Sequence, residues 1–189
     1  KESYESDVII AGWGLRDWEL VRKHRKSIVD DIIEGLDLFP NLKESIKKEY
    51  LLVHIRRNDF LDIESYKDIN FNDKIWIKSI SKLCSFLSIN TIVLFSDSEI
   101  NKNFISKLEM NGIEVIFPET HKNKGDLFLK LFIKYIYDAS TIICNSSSLV
   151  LSISFLFHEF IYLPSKDDDF QKVFLDEAHN SYPTLLNWK

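Results

Sequence analysis

Three short polar segments carry the residue types from which an anion site can be built: His54-Ile55-Arg56-Arg57-Asn58-Asp59, Ser96-Asp97-Ser98 and Asn145-Ser146-Ser147-Ser148. Each follows an apolar run: YLLVHI, TIVLF and TIIC, respectively. The chain has five arginines against nineteen lysines, and two of the five are the adjacent pair Arg56-Arg57. Lysine suits any solvated face, whereas the planar guanidinium fork matches phosphate or carboxylate. Ser146 to Ser148 open a helix, so backbone N–H groups, hydroxyl donors and the positive dipole end would face an anion. Together these groups suit a diphosphate, with Arg56 or Arg57 adding charge-assisted hydrogen bonds. Asp97 and Asp59 supply acceptors for ribose hydroxyls or base amino groups, or for holding the arginines in place.

Each segment also has a plainer reading that stays open at this point. A serine run before a helix caps it, and Asp97-Ser98 is placed to cap the next helix. His54 lies inside an apolar run, the setting of a core histidine. The arginine pair suits a structural ion pair with Asp59. Asp126, after Gly125, is placed to cap its own helix, and Asp167-Asp168-Asp169 suits a solvated loop. Only the recurrence of such groups after successive apolar runs favours a shared site.

The elements that must position these groups are legible as an alternation. Five apolar runs, Tyr50–Ile55, Thr91–Phe95, Ile113–Phe117, Thr141–Cys144 and Ile161–Leu163, read as strands. Helical spacing lies between them, in Asn72–Leu87, Glu99–Met110, Asp126–Tyr137 and Ser147–His158. Upstream, a short apolar stretch (Asp7–Trp13) precedes a long amphipathic helix from Leu15 to Leu36; Pro40-Asn41 breaks the pattern, and a shorter polar helix then runs to about Lys48. The pattern predicts an α/β fold, a Rossmann-like parallel sheet flanked by helices with right-handed crossovers. Residues 1–48 read as a helical segment packing on a Rossmann-like domain of residues 49–189. In such a sheet ligands bind beyond the carboxyl ends of the strands, where all three polar segments fall. Strand order is not readable.

Composition narrows the function classes. The 189 residues are 45% hydrophobic and 13% aromatic, with 5 Gly and 4 Pro, which excludes disordered and low-complexity chains. A formal net charge of -5 argues against coating nucleic acid or anionic membrane. Cys84 and Cys144 lie in apolar surroundings and read as small buried hydrophobes of a reducing compartment. No secretory n-region and h-region pair opens the chain, and no apolar run is long enough to span a bilayer, so the expected location is cytoplasmic. Glycine-rich phosphate loops are missing. Asp97-Ser98-Glu99 is the nearest approach to a metal-binding DxD pair, and it lacks the second aspartate of a DxDx(T/V) phosphatase. No metal site or cofactor is expected.

At Val53 to Phe60 (VHIRRNDF) the sequence resembles the HxRRxD motif of α-1,2-fucosyltransferases, glycosyltransferase family 11. The resemblance continues in order through Gly12-Trp13, Phe95-Ser96-Asp97-Ser98 (the family's FSDD), Ile142–Ser148 (its IIxNSSF) and the strand ending at Pro164. After Ser148 it departs, with no tryptophan pair. It implies the C-terminal, donor-binding half of a GT-B enzyme that takes fucose from GDP-fucose to a hydroxyl of a glycan acceptor, without metal and with inversion. It assigns Arg56 to the donor diphosphate as the catalytic cation and Arg57 to its support. His54 would lie near the nucleotide, Ser146 and Ser147 would donate to phosphate, and Asp126 would read guanine from about one helical turn farther away than the family spacing. Asp59, Asp97, Asn145 and Ser148 complete the expected donor site. Asp59 sits beside two arginines, which would lower its pKa and make it a poor base, so no general base is assigned. Two other readings remain: a GDP- or sugar-nucleotide-binding module without turnover, and a transferase for another sugar nucleotide.

Overall fold

The computed structural model describes residues 18–37, 46, 48–57, 72–118, 126–145, 148–158, 160–163 and 184–187. Helix α1 (Trp18–Asp37) comes first. It is followed by β1 (Leu51–Ile55), α2 (Asp73–Leu87), β2 (Thr91–Ser96), α3 (Lys102–Met110), β3 (Glu114–Ile116), α4 (Asp126–Asp138), β4 (Thr141–Cys144), α5 (Ser148–Phe157), β5 (Phe160–Leu163) and β6 (Thr184–Asn187). The strands form one parallel sheet in the order β3-β2-β1-β4-β5-β6. All five expected strands are present, and β6 is an addition.

Alternation along the strands divides the core into two layers. Leu51, Val53 and Ile55 of β1 join Ile92 and Leu94 of β2 on the face covered by α2 and α3. Leu52, Val93 and Phe95 point the other way, towards Phe132 and Ile136 of α4 and Val150 of α5. A sheet covered on both sides needs apolar residues at every position, which is why its strands read as unbroken apolar runs. Helix α2 buries Trp76, Ile80, Leu83 and Cys84, a stripe at 3.6-residue spacing. Each such large side chain is worth about 1.5–3 kcal/mol of transfer free energy. Helix α1 lies against α5.

Helix ends follow local chemistry. The Asn72 side chain accepts from the N–H groups of Lys74 and Ile75 at the start of α2. Helix α3 begins three residues later than the spacing suggests, because Asn101, and neither Asp97 nor Ser98, is its cap. Gly112 (φ 77°) takes the left-handed position after α3, where its N–H reaches Glu109 O and that of Ile113 reaches Leu108 O. The expected polar helix up to Lys48 falls mostly outside the described residues, and Ile46 and Lys48 are not helical. The Asp7–Trp13 stretch also lies outside them.

The order β3-β2-β1-β4-β5-β6 reverses direction between β1 and β4. The crossover from β1 leads to β2 on one side, and the second half of the chain builds outward from β4 on the other. In an open parallel sheet such a reversal is the place where ligands bind, beyond the carboxyl ends of the strands.

Candidate functional site at the carboxyl ends of β1, β2 and β4

Strand β1 is flanked by β2 and β4, and its ladder runs out at Ile55↔Ser96 on one side and His54↔Cys144 on the other. Side chains take over from there. The Asn145 carboxamide accepts from Arg56 N–H and donates to Arg56 C=O, both at 2.8 Å. On the other side the Asp97 carboxylate accepts from Arg57 N–H at 2.7 Å. The turn that presents Asp97 is itself tied, with Ser98 N–H donating to Ser96 Oγ at 3.2 Å. Segments 40 and 89 residues distant from the arginines in sequence thus converge on their main chain.

The two arginines differ in setting. Arg57 is buried (7% exposed), and its guanidinium donates to Asp73 at 2.6 Å. Asp73 opens α2, where a carboxylate also complements the helix dipole. The structural partner considered from sequence, Asp59, lies outside the described residues, so the ion pair found here is with a residue that sequence reasoning passed over. Arg56 is half-buried at the rim. Asn145 is fully buried, and its carboxamide holds the Arg56 main chain.

His54 faces the α4 layer, its ring 5.8 Å from that of Phe132, which in turn packs edge-on against Phe95 at 4.8 Å. Burial first, and the Arg56 guanidinium second, push its pKa down to about 4, so the imidazole is neutral at physiological pH. Its Nδ1 is buried with no hydrogen-bond partner among the described residues.

Of the remaining expected residues, Ser146 and Ser147 lie outside the described residues. Ser148 and Asp126 are the first residues of α5 and α4, and nothing is described of their side chains. Asn145 stands three positions before Ser148, so α5 starts directly above the end of β4. Both helices follow a strand of the parallel sheet and begin on the same rim.

Crystal structures of POFUT1 in complex with GDP-fucose and with GDP are similar to this chain at a TM-score of 0.48 and 13% sequence identity, over 84% of this chain and 46% and 47% of theirs. The apo form of POFUT1 gives 0.44 and 14% identity over 67% of this chain. The chain spans less than half the length of these proteins. No protein-family model and no curated protein matches the sequence.

Neither buried cysteine supplies a nucleophile. Burial pushes the thiol of Cys84 up to about 11 and that of Cys144 up to about 12, which removes both as thiolates. No group of three or more potential metal ligands occurs among the described residues. No helix among them is long and apolar enough to cross a membrane.

Proposed function

We propose that this chain is the donor-binding half of a fucosyltransferase and that GDP-fucose lies across the carboxyl ends of β1 and β4. The observation that carries the reading is the reciprocal pairing of Asn145 with the Arg56 main chain. It joins the HIRRND segment to the residue that opens NSSS, so the motif arginine and the start of α5 share one rim. Arg56 and the N–H groups at the start of α5 would then neutralise the same diphosphate.

In the proposed transfer, the acceptor hydroxyl oxygen forms a bond to the anomeric carbon as the bond from that carbon to the diphosphate oxygen breaks. The bonding pair leaves with GDP, and the acceptor proton passes to a base that is not assigned here. Negative charge grows on the departing diphosphate while the sugar becomes oxocarbenium-like. Fixed cations and oriented N–H dipoles stabilise that charge without reorganising, the same principle as an oxyanion hole. A neutral His54 beside Arg56 adds no competing charge at the nucleotide.

Isothermal titration with GDP, UDP and CMP, followed by an assay of hydrolysis and transfer with GDP-fucose, tests the reading. GDP is expected to bind and UDP and CMP to bind far more weakly. Stabilisation by UDP alone excludes the fucose donor. GDP binding without turnover in the full-length protein reduces the chain to a binding module.

A further inference from the structure

Arg56 and Arg57 continue past the last rung of the sheet, where the chain leaves regular structure and a main-chain N–H or C=O in partly buried surroundings needs a partner. Two side chains, one from the end of each flanking strand, meet this need, and a third holds the Arg57 side chain. Asn145, at the end of β4, satisfies both the N–H and the C=O of Arg56, imitating the next rung of a parallel ladder. Asp97, at the end of β2, takes the N–H of Arg57. Asp73, at the start of α2, takes the Arg57 guanidinium. Flanking strands thus reach in from both sides by side chain alone. A fully buried carboxamide with both ends engaged has one geometry available, so it sets the main-chain direction at Arg56 as firmly as a strand would.

We propose that Asn145 and Asp97 are positioning residues, which extend the sheet by one side-chain rung on each side of β1 and thereby aim Arg56, while Arg57 is a structural cation locked to Asp73. This proposal rests on the donor-site reading for what Arg56 meets. It moves Asn145 and Asp97 from contact with the donor to control of Arg56, and makes the ion pair with Asp73 the form that support by Arg57 takes. A guanidinium on a flexible stem gains more affinity for phosphate when its root is fixed, because less entropy is lost in ordering it on binding. The arrangement also accounts for two adjacent arginines: the second anchors and the first reaches.

Residue-resolved amide hydrogen exchange on the ligand-free protein, paired with GDP calorimetry, tests the assignment. In the wild-type protein the Arg56 and Arg57 amides are expected to exchange well below open-chain rates. Asn145→Ala should speed exchange at Arg56, and Asp97→Ala at Arg57, each by roughly tenfold, as expected for one lost hydrogen bond. GDP affinity should fall by a similar factor in both. Asp97→Asn keeps the accepting oxygen and should retain both the Arg57 protection and the affinity. Open-chain exchange at Arg56 and Arg57 in the wild type overturns the proposal, even if Asn145→Ala fails to fold. So does an Asp97→Asn protein that loses affinity with Arg57 protection unchanged, because the carboxylate would then act on the ligand itself. A wild-type protein that binds no GDP removes the donor reading, while the exchange rates still decide the side-chain rungs.

Discussion

The ring of His54 stands 5.8 Å from that of Phe132, joining the end of β1 to the middle of α4 through an imidazole that burial keeps neutral. The sign of its effect on stability is set by the lowered pKa. Between about 4 and 6.5 the unfolded chain binds a proton that the native protein refuses. Stability is therefore full above pH 6.5 and is lost as pH falls towards 4. The loss should be roughly 1–3 kcal/mol. Urea unfolding at pH 7.5 and at pH 4.5 measures it, and His54→Phe should flatten most of the acid limb. His158, also held below its ordinary pKa by burial, accounts for a remainder of the same sign.

Arg56 and Arg57 should separate activity from stability. Arg57→Ala breaks a largely buried ion pair, yet Asp73 keeps 36% side-chain exposure and solvent screens what remains. A cost of about 1–3 kcal/mol is expected, below that of a fully enclosed pair. Arg56→Ala should change stability by less than about 1 kcal/mol. Under the proposed function its effect falls on transfer, raising the barrier by about 2.7–4 kcal/mol, as loss of a preorganised donor does elsewhere. Thermal unfolding alongside initial-rate measurements tells the two apart; equal effects of both variants on both readouts would contradict the division.

Helix α2 offers a test at each end. Asn72→Ala removes the acceptor for two N–H groups and should cost about 1 kcal/mol, with Asn72→Asp close to neutral. Ser88 sits in the left-handed region at φ 58°, a conformation that costs a residue with a β-carbon about 1 kcal/mol or more. Ser88→Gly should raise stability by about 0.5–1 kcal/mol in a denaturant titration, less the entropy glycine regains in the unfolded chain.

Both thiols should be silent in the native state. With pKa values pushed up to about 11 and 12, Cys84 and Cys144 present almost no thiolate at pH 8. Labelling with a disulfide reagent should follow the rate of unfolding, and rapid modification of the native protein would show that one of the thiols is accessible.

The alternation of apolar runs made the strands, helices and parallel class legible, because a sheet covered on both faces leaves an uninterrupted apolar signature. The four residues of β6 escaped because Thr-Leu-Leu-Asn carries no such run and gains its identity only by pairing with β5. At the site, Arg56, Asp97 and Asn145 stood out by type and place. Their partners did not, because the Asn145 contact exists only once β1 and β4 are neighbours. Asp73 looked like an ordinary acidic residue in a first helical turn. Asn101 displaced Asp97 and Ser98 as a cap, and this left Asp97 available to bind the Arg57 main chain.

Arg56 and Asn145 belong to opposite sides of the reversal in strand order and are 89 positions apart. During synthesis the arginine emerges long before the carboxamide that steadies it, so a nascent or truncated chain has the cation without its mount. The pairing is therefore complete only in the finished sheet, and a ligand that depends on it would report completed folding rather than guide its early stages.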